Sequence, residues 1–405
     1  MIEKVCQNLL NTYNTNFLEH SDKIISDAFL KASIEHRHGD KGRTTLMKLI
    51  CNHYIDKPKP KFIGGPQNLT VHFSQDSKIV YIFGEHHSDV IDCKSVGDEE
   101  EAPFDEKKMK IEDFLEKWIR TTDVFLDIFF EFPMIDKGSK RYYPNFKPFP
   151  HNFRMEKLFE QFKKYVQPGT RNMEKNTLVR VHYFDARAKD IGGDVEGVNS
   201  ATRFRLKIKN TSMTAYYFKE LIKNAEFRSV LEALGNPSEE IFLDFWIEQI
   251  KTNTFVKHEL DSCHLKEDIL KFIREEIRTT VEFRVFLTKY IPFILAGGIL
   301  DDSDFTQLFQ VIYESTTIPN AFVADVYLLA RIFKDFKIKG IVDQPIQPHN
   351  IIIYAGNAHS NTIRKFLNDV AGFQTLSSAG NLIIKKETAV TCVNMKTINQ
   401  PLFFA

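Results

Sequence analysis

The sequence predicts an α/β protein with a largely parallel central sheet flanked by helices, a large all-helical insertion and an N-terminal helical segment. Three observations carry this. Short β-branched or aromatic runs alternate with helical patterns between residues 71 and 184. Strand-like runs vanish between about 201 and 345, where helical periodicity takes over, and strands return from 351 onward.

Taken in order, Val5, Leu9, Leu10, Tyr13, Phe17, Ile24, Ile25, Ala28 and Phe29 recur at helical spacing and predict a helical segment over 1–60. Lys57-Pro58-Lys59-Pro60-Lys61, followed by Gly64-Gly65-Pro66, cannot propagate a helix and reads as a linker. Strands are expected at 71–73, 79–83, 124–130 and 178–184, with helices at 114–119 and 155–166 between them. These make the first part of an α/β core, 61–200. Helical patterns at 216–225, 241–250, 269–291, 305–313 and 322–333 form the insertion or cap, 201–345. Runs at 351–355, 381–384 and 389–393 complete the sheet in a C-terminal part, 346–405, so the core is expected to be discontinuous in sequence.

The 405 residues suffice for a large core without structural metal. Fifty-four basic residues balance fifty-four acidic ones, and no long basic run supplies an electrostatic footprint for nucleic acid or an anionic membrane. The longest apolar run, near 291–300, is too short to span a bilayer, and the first ten residues do not read as a signal peptide. Cys6, Cys51, Cys93, Cys263 and Cys392 are odd in number and scattered, without a C-x-x-C pair, which reads as a reducing compartment. An intracellular, cytoplasmic protein is expected. Abundant Phe, Ile, Lys and Asn also fit an A/T-rich genome such as those of many large DNA viruses, for which the virion or infected-cell cytoplasm is the alternative location. The acidic run 98–101 reads as a solvated turn.

The feature that points to chemistry is a pair of alignable segments, KIVYIFGEHHS (78–88) and NIIIYAGNAHS (350–360). Each is a buried-type strand running into G-x-x-H-S, with Gly84 and Gly356 expected to let the backbone turn off the strand. In the second copy a helix pattern follows at once (Ile363, Phe366, Leu367, Val370), with Ser360 or Asn361 as the natural N-cap. His359 would then sit at a helix N-terminus, where the dipole disfavours imidazolium and keeps the ring neutral, as a metal ligand or general base requires. The alignment selects His87 over His86 as its counterpart. The strand at 124–130 runs into Glu131, and that at 178–184 into Asp185 and Arg187. Ligands bind beyond the carboxyl ends of strands in open α/β sheets, so Glu85, His87, Glu131, Asp185, Arg187 and His359 are expected at one edge. Tyr327 and Arg331, spaced i, i+4 on a helix that also carries Asp325, suit the cap side of such a site but fit a packing role equally.

These turns resemble a superfamily that includes erythromycin esterases, TIKI-type and TraB-like proteins, and ChaN-like haem-binding proteins. Gly84, Glu85 and His87 look like its early turn, Glu131 like its middle acid, and Gly356 with His359 like its late turn, although the matches occupy fewer than thirty positions. The late Y-A-G-x-A-H turn also resembles uncharacterised proteins of large DNA viruses. The superfamily resemblance implies an α/β hydrolytic centre, metal-dependent in the peptidase branch and based on His/Glu-activated water in the esterase branch. The chain departs from it in lacking a glycine after the first histidine and in its Phe-rich insertion.

The expected function is hydrolysis of a peptide or ester bond in a small-molecule or peptide substrate. Glu85, His87, Glu131 and His359 would be catalytic, and Asp185 and Arg187 would position substrate or stabilise an oxyanion. If a metal takes part, His87, His359 and Glu131 would hold a divalent transition ion (Mn, Co or Zn). The alternative is a binding or structural protein that keeps the pocket for haem or another small ligand. Neither G-x-S-x-G nor G-x-x-x-x-G-K occurs, which argues against a serine hydrolase or a P-loop NTPase.

Overall fold

Strands buried on both faces read as unbroken apolar runs, and IVYIFGE and NIIIYAG lie side by side at the centre of a six-stranded sheet. The computed structural model describes residues 57–86, 91–97, 104–105, 107–122, 124–133, 153–166, 178–186, 218, 220, 222–280, 284–336, 345–382, 391–400 and 402–403. The expected N-terminal helices, the acidic run 98–101, His87 and Arg187 lie outside these residues.

The strands are β1 (Phe62–Gly64), β2 (Asn68–Phe73), β3 (Ile79–Glu85), β4 (Lys108–Lys110), β5 (Leu126–Pro133), β6 (Val179–Asp185), β7 (Asn350–Gly356), β8 (Gln374–Gly380) and β9 (Cys392–Asn394). The main sheet has the order β6-β5-β7-β3-β2-β8, and a small sheet has β4-β1-β9. Strands β6, β5, β7 and β3 are parallel, and antiparallel β2 and β8 close one side. Strand β7, from the C-terminal part, sits between β5 and β3, so the sheet is built from both ends of the described chain.

Helices cover both faces. On one, α1 (Ile111–Thr121) and α2 (Phe153–Val166) pack Phe114, Trp118 and Phe162 onto the strand residues Phe83, Phe130 and Tyr354. On the other lie α3 (Ala225–Leu234), α4 (Glu239–Thr252), α5 (Thr254–Leu260), α6 (Lys266–Thr280), α7 (Arg284–Leu295), α8 (Asp302–Ile332) and α9 (Asn357–Asp369). Helices α8 and α9 meet the alternate strand residues Ile82, Phe129 and Ile353. The period-2 alternation of strands thus feeds two apolar layers, and truncating a fully buried ring such as Phe129 to Ala costs about 3–5 kcal/mol.

Several expectations are corrected. The supposed linker contains β1, with Ile63 fully buried. Its partners lie at 108–110 and 392–394, too far along the chain to leave a local signal. The patterns at 305–313 and 322–333 belong to one helix, α8, which runs through Pro319. Ser315, Thr316 and Thr317 hydroxyls donate to carbonyls three or four residues back, beside the break the proline makes in the hydrogen-bond ladder. The pattern at 269–291 belongs to two helices, α6 and α7. Ahead of the strand expected at 381–384, of which 381 and 382 are not strand and 383 and 384 lie outside the described residues, runs β8, an exposed edge whose sequence, QTLSSAG, has no apolar run to announce it.

The cysteines are corrected too. Cys93 and Cys392, 299 residues apart, form a disulfide that joins the loop after β3 to β9, while Cys263 is a buried free thiol. Scattered spacing says nothing about cysteines that a long-range strand pairing brings together, and the disulfide removes the ground for a reducing compartment. Among the described residues no helix is long and apolar enough to cross a membrane.

Candidate active site at the carboxyl ends of the central strands

Parallel β3 and β7 end side by side, so the two glycine turns leave the sheet at the same edge. The ladder pairs Gly84 with Ala355 and Glu85 with Gly356, one residue out of step with the alignment of the two segments. Residues paired across a parallel ladder share a face. Glu85 therefore lies on the α1/α2 side with Tyr81 and Phe83, and it accepts a short hydrogen bond from the Tyr354 hydroxyl. Asp185 is fully buried at the carboxyl end of β6, next to Phe184, whose ring lies edge-on to His359 at 6.3 Å.

The opposite side holds the polar centre. Glu131, between Phe130 and Phe132 that both face α2, points toward α8 and α9. Its Oε1 lies 3.2 Å from His359 Nε2, and its Oε2 accepts the Gly356 backbone N–H at 2.7 Å. Asp325 of α8 completes the arrangement, with Oδ1 2.7 Å from His359 Nδ1. All three side chains are buried. The six residues expected to converge thus divide: Glu131 and His359 meet, Glu85 turns to the other face, Asp185 is buried at the end of β6, and His87 and Arg187 lie outside the described residues.

Asp325 is the member that sequence reasoning left in the background. Its signal was a carboxylate in the apolar run Phe322-Val-Ala-Asp-Val-Tyr-Leu328, which helical packing buries to 1% exposure. Arg331, on the same helix, belongs elsewhere. It donates to His182 Nδ1 at 2.8 Å and to Glu259 at 3.2 Å, in a network completed by His182 with Asp127 (2.8 Å), Arg180 with Asp127 (2.7 Å) and Lys334 with Glu259. Asp127 and Arg180 lie near the amino ends of β5 and β6 and His182 at the middle of β6, so this network ties the helical layer to the sheet away from the candidate site.

The environment of His359 overturns its expected neutrality. Burial opposes the imidazolium, as does its place in the first turn of α9, but Glu131 and Asp325 together outweigh both and raise the pKa to about 10. The expected cap is also corrected. Gly356 is the N-cap, no side chain of α9 caps the helix, and Ser360 Oγ donates instead to Ala355 O at 3.3 Å. The Glu131 carboxylate, fixed from a neighbouring strand, stands at that helix terminus, where negative charge is favoured.

The glycines need a different account as well. Gly356 has an ordinary φ of −58°, and Gly84 does not have a positive φ. Gly84 is needed for close approach: a Cβ there would lie 2.5 Å from Asn357 Oδ1 and nearer still to Asn68 Oδ1. Those amides belong to a buried network in which Asn68 donates to Asn357 at 2.9 Å and Arg364 donates to Asn68, to Thr70 at 2.8 Å and to Asn361 at 3.0 Å. Burial lowers the Arg364 pKa to about 10, and among the described residues no carboxylate pairs with it.

Asp325 holds His359 Nδ1 and Glu131 stands at Nε2, so a metal ion at this place would have to displace the proton shared by His359 and Glu131. Among the described residues no set of three His, Cys, Asp or Glu side chains could hold a metal ion, and His87, the third expected ligand, lies outside them. The fold and centre define an α/β protein with a buried carboxylate–imidazolium–carboxylate triad at the carboxyl ends of parallel strands. Compared with family models, curated proteins and solved structures, the chain matches none.

Proposed function

We propose that the protein is a hydrolase of peptide or ester bonds that activates water with Glu131 and His359, without a metal-bound step. The observation that carries the reading is the contact of His359 with Glu131 at one ring nitrogen and Asp325 at the other. A histidine with a pKa near 10 is a poor base at neutral pH but a competent acid. Glu131 is therefore the base. It takes a proton from a water as the water oxygen attacks the carbonyl carbon, while His359 Nε2 gives its proton to the departing alkoxide or amine. Glu131 then returns a proton to His359, and Asp325 holds the ring and stabilises the imidazolium throughout. For water to enter, the Glu131–His359 pair must open.

A second reading, a binding or structural protein, is favoured by one observation: Glu131 and His359 are only 6% and 5% exposed, as a packing ion pair would be. Chromogenic esters and fluorogenic peptides, assayed with wild type and Glu131→Gln, separate the two. Hydrolysis that falls by about 10²–10⁴-fold in the variant supports the enzyme, and its absence from well-folded wild type across the screen favours the second reading. Elemental analysis of protein purified without chelator tests the metal-free step. Stoichiometric transition metal, lost on His359→Ala substitution, would replace it with a metal-assisted one.

A further inference from the structure

The small sheet carries a cleft that the hydrolase reading does not use. Strand β1 pairs parallel with β4 and antiparallel with β9, so the starts of β1 and β4 and the end of β9 lie along one edge. Lysines occupy all three places. Lys59 and Lys61 precede β1, Lys107 precedes β4 and Lys108 opens it, and Lys396 follows β9. The backbones are locked together: Lys61 N–H donates to Lys107 O at 2.7 Å, and Met395 N–H donates to Lys61 O at 2.8 Å. Neighbouring strands are about 4.8 Å apart, so the backbones that carry these lysines are gathered at one edge.

These five lysines line a cavity of about 650 Å³, in which Asp105 is the one acid among the described lining residues. Its Oδ1 is already engaged by the Lys107 and Lys108 backbone N–H groups at 2.7 and 3.1 Å. Among the described residues, no carboxylate pairs with Lys61, Lys107 or Lys396. Like charges on adjacent strands repel, and a chain of zero net charge gives no general reason to gather them here. The cleft wall is also held in place, since Cys93–Cys392 joins the 91–97 loop to β9 and Asn394 Nδ2 donates to Val96 O at 3.1 Å.

We propose that this cleft binds a phosphorylated small molecule, with its phosphate oxygens on the lysines. The volume falls within the roughly 300–1,000 Å³ of small-molecule pockets. Positive charge gathered in one concave place, rather than spread over a face, disfavours nucleic acid. Several lysines lining one cleft can each meet an oxygen of a phosphate chain as point charges. The proposal is independent of the hydrolase reading.

Isothermal titration of the full chain with inorganic tripolyphosphate and, separately, with adenosine triphosphate tests it. Saturable 1:1 binding is expected, weakened at least about tenfold by Lys61→Gln/Lys107→Gln/Lys396→Gln and retained by the matching Arg substitutions. Binding of both probes assigns recognition to the phosphate chain, and binding of the nucleotide alone adds its organic body; either supports the proposal. These lysines are exposed, so the variants should melt with wild type. No saturable binding of either probe, or equal binding by the Gln variant, overturns the proposal. So would binding that emerges only when Asp98, Glu99, Glu100 and Glu101 are neutralised, because the cleft's ligand would then be the chain itself.

Discussion

Asp325, two turns from the carboxyl end of a 31-residue helix, and His359 in the first turn of α9 share a 2.7 Å hydrogen bond, which ties the helical layer to the carboxyl edge of the sheet. Removing Asp325 would leave the imidazolium facing one carboxylate in a buried place. Breaking a buried charge pair from one side costs about 3–5 kcal/mol, so Asp325→Ala should lower the urea midpoint substantially. Asp325→Asn, which can still accept a hydrogen bond, should lose less. Equal urea midpoints for Asp325→Ala and wild type would show that the bond contributes no stability.

The buried histidines set the pH dependence of stability in two opposed limbs. His359 has a folded pKa of about 10 against an ordinary 6.5, so its contribution is full below about pH 6.5 and is lost as pH rises toward 10. His72 and His182 behave oppositely. Burial drives each down to about 4, against hydrogen bonds with Asn368 and Asp127 respectively, so the unfolded chain takes up protons first and stability is lost as pH falls from 6.5 toward 4. Stability should peak near pH 6.5. In His359→Gln the alkaline limb should flatten while the acid limb stays, as chemical denaturation at pH 5, 6.5, 8 and 9.5 would reveal.

What could be read from the sequence was whatever is periodic or locally punctuated. The apolar runs of β3, β5, β6 and β7, the helical stretch and the second turn's strand-to-helix junction follow directly from residue patterns. Face parity was not legible. Aligning Gly84 with Gly356 puts both turns in one register, but the ladder pairs Glu85 with Gly356, and a one-residue offset sends a side chain to the other face. The partner of His359 was hidden for a related reason: residues 325 and 359 meet through packing of α8 on α9, which no local pattern encodes. The protonation of His359 was misjudged because a helix dipole acts locally, whereas the two carboxylates arrive from β5 and α8.

Reduction should loosen the small sheet. Closing a long loop with a disulfide typically stabilises by about 2–4 kcal/mol, so Cys392→Ser, or wild type in strong reductant, should unfold at a lower temperature than oxidised protein. If the melting temperatures agree, β1, β4 and β9 hold without the cross-link. Because Asn394 and the 91–97 loop border the lysine cleft, tripolyphosphate binding should weaken in parallel.

Substituting Gly84 probes packing rather than backbone freedom. Its Cβ would press on Asn68 and Asn357, whose amides are held by Arg364 and Gln67 and cannot swing aside freely. Gly84→Ala should therefore cost about 1–3 kcal/mol by overpacking, read from the shift of the denaturation midpoint. Full native stability would mean that the amide network can move.

The two faces of the sheet give the sharpest discrimination among the candidate carboxylates. Glu131 and Glu85 are both buried strand-end glutamates, and the sequence offers no ground to rank them. In the fold, Glu131 contacts His359 and caps α9 through Gly356, whereas Glu85 is bonded to Tyr354 on the opposite side. If the α8/α9 side is where water is activated, Glu131→Gln should abolish hydrolysis, and Glu85→Gln should retain most of the turnover at some loss of stability. Any hydrolysis found in the substrate screen provides the readout, with kcat compared at matched folded fractions. Loss of kcat in Glu85→Gln alone would move the reacting centre to the α1/α2 side and would leave Glu131 and His359 as a structural ion pair.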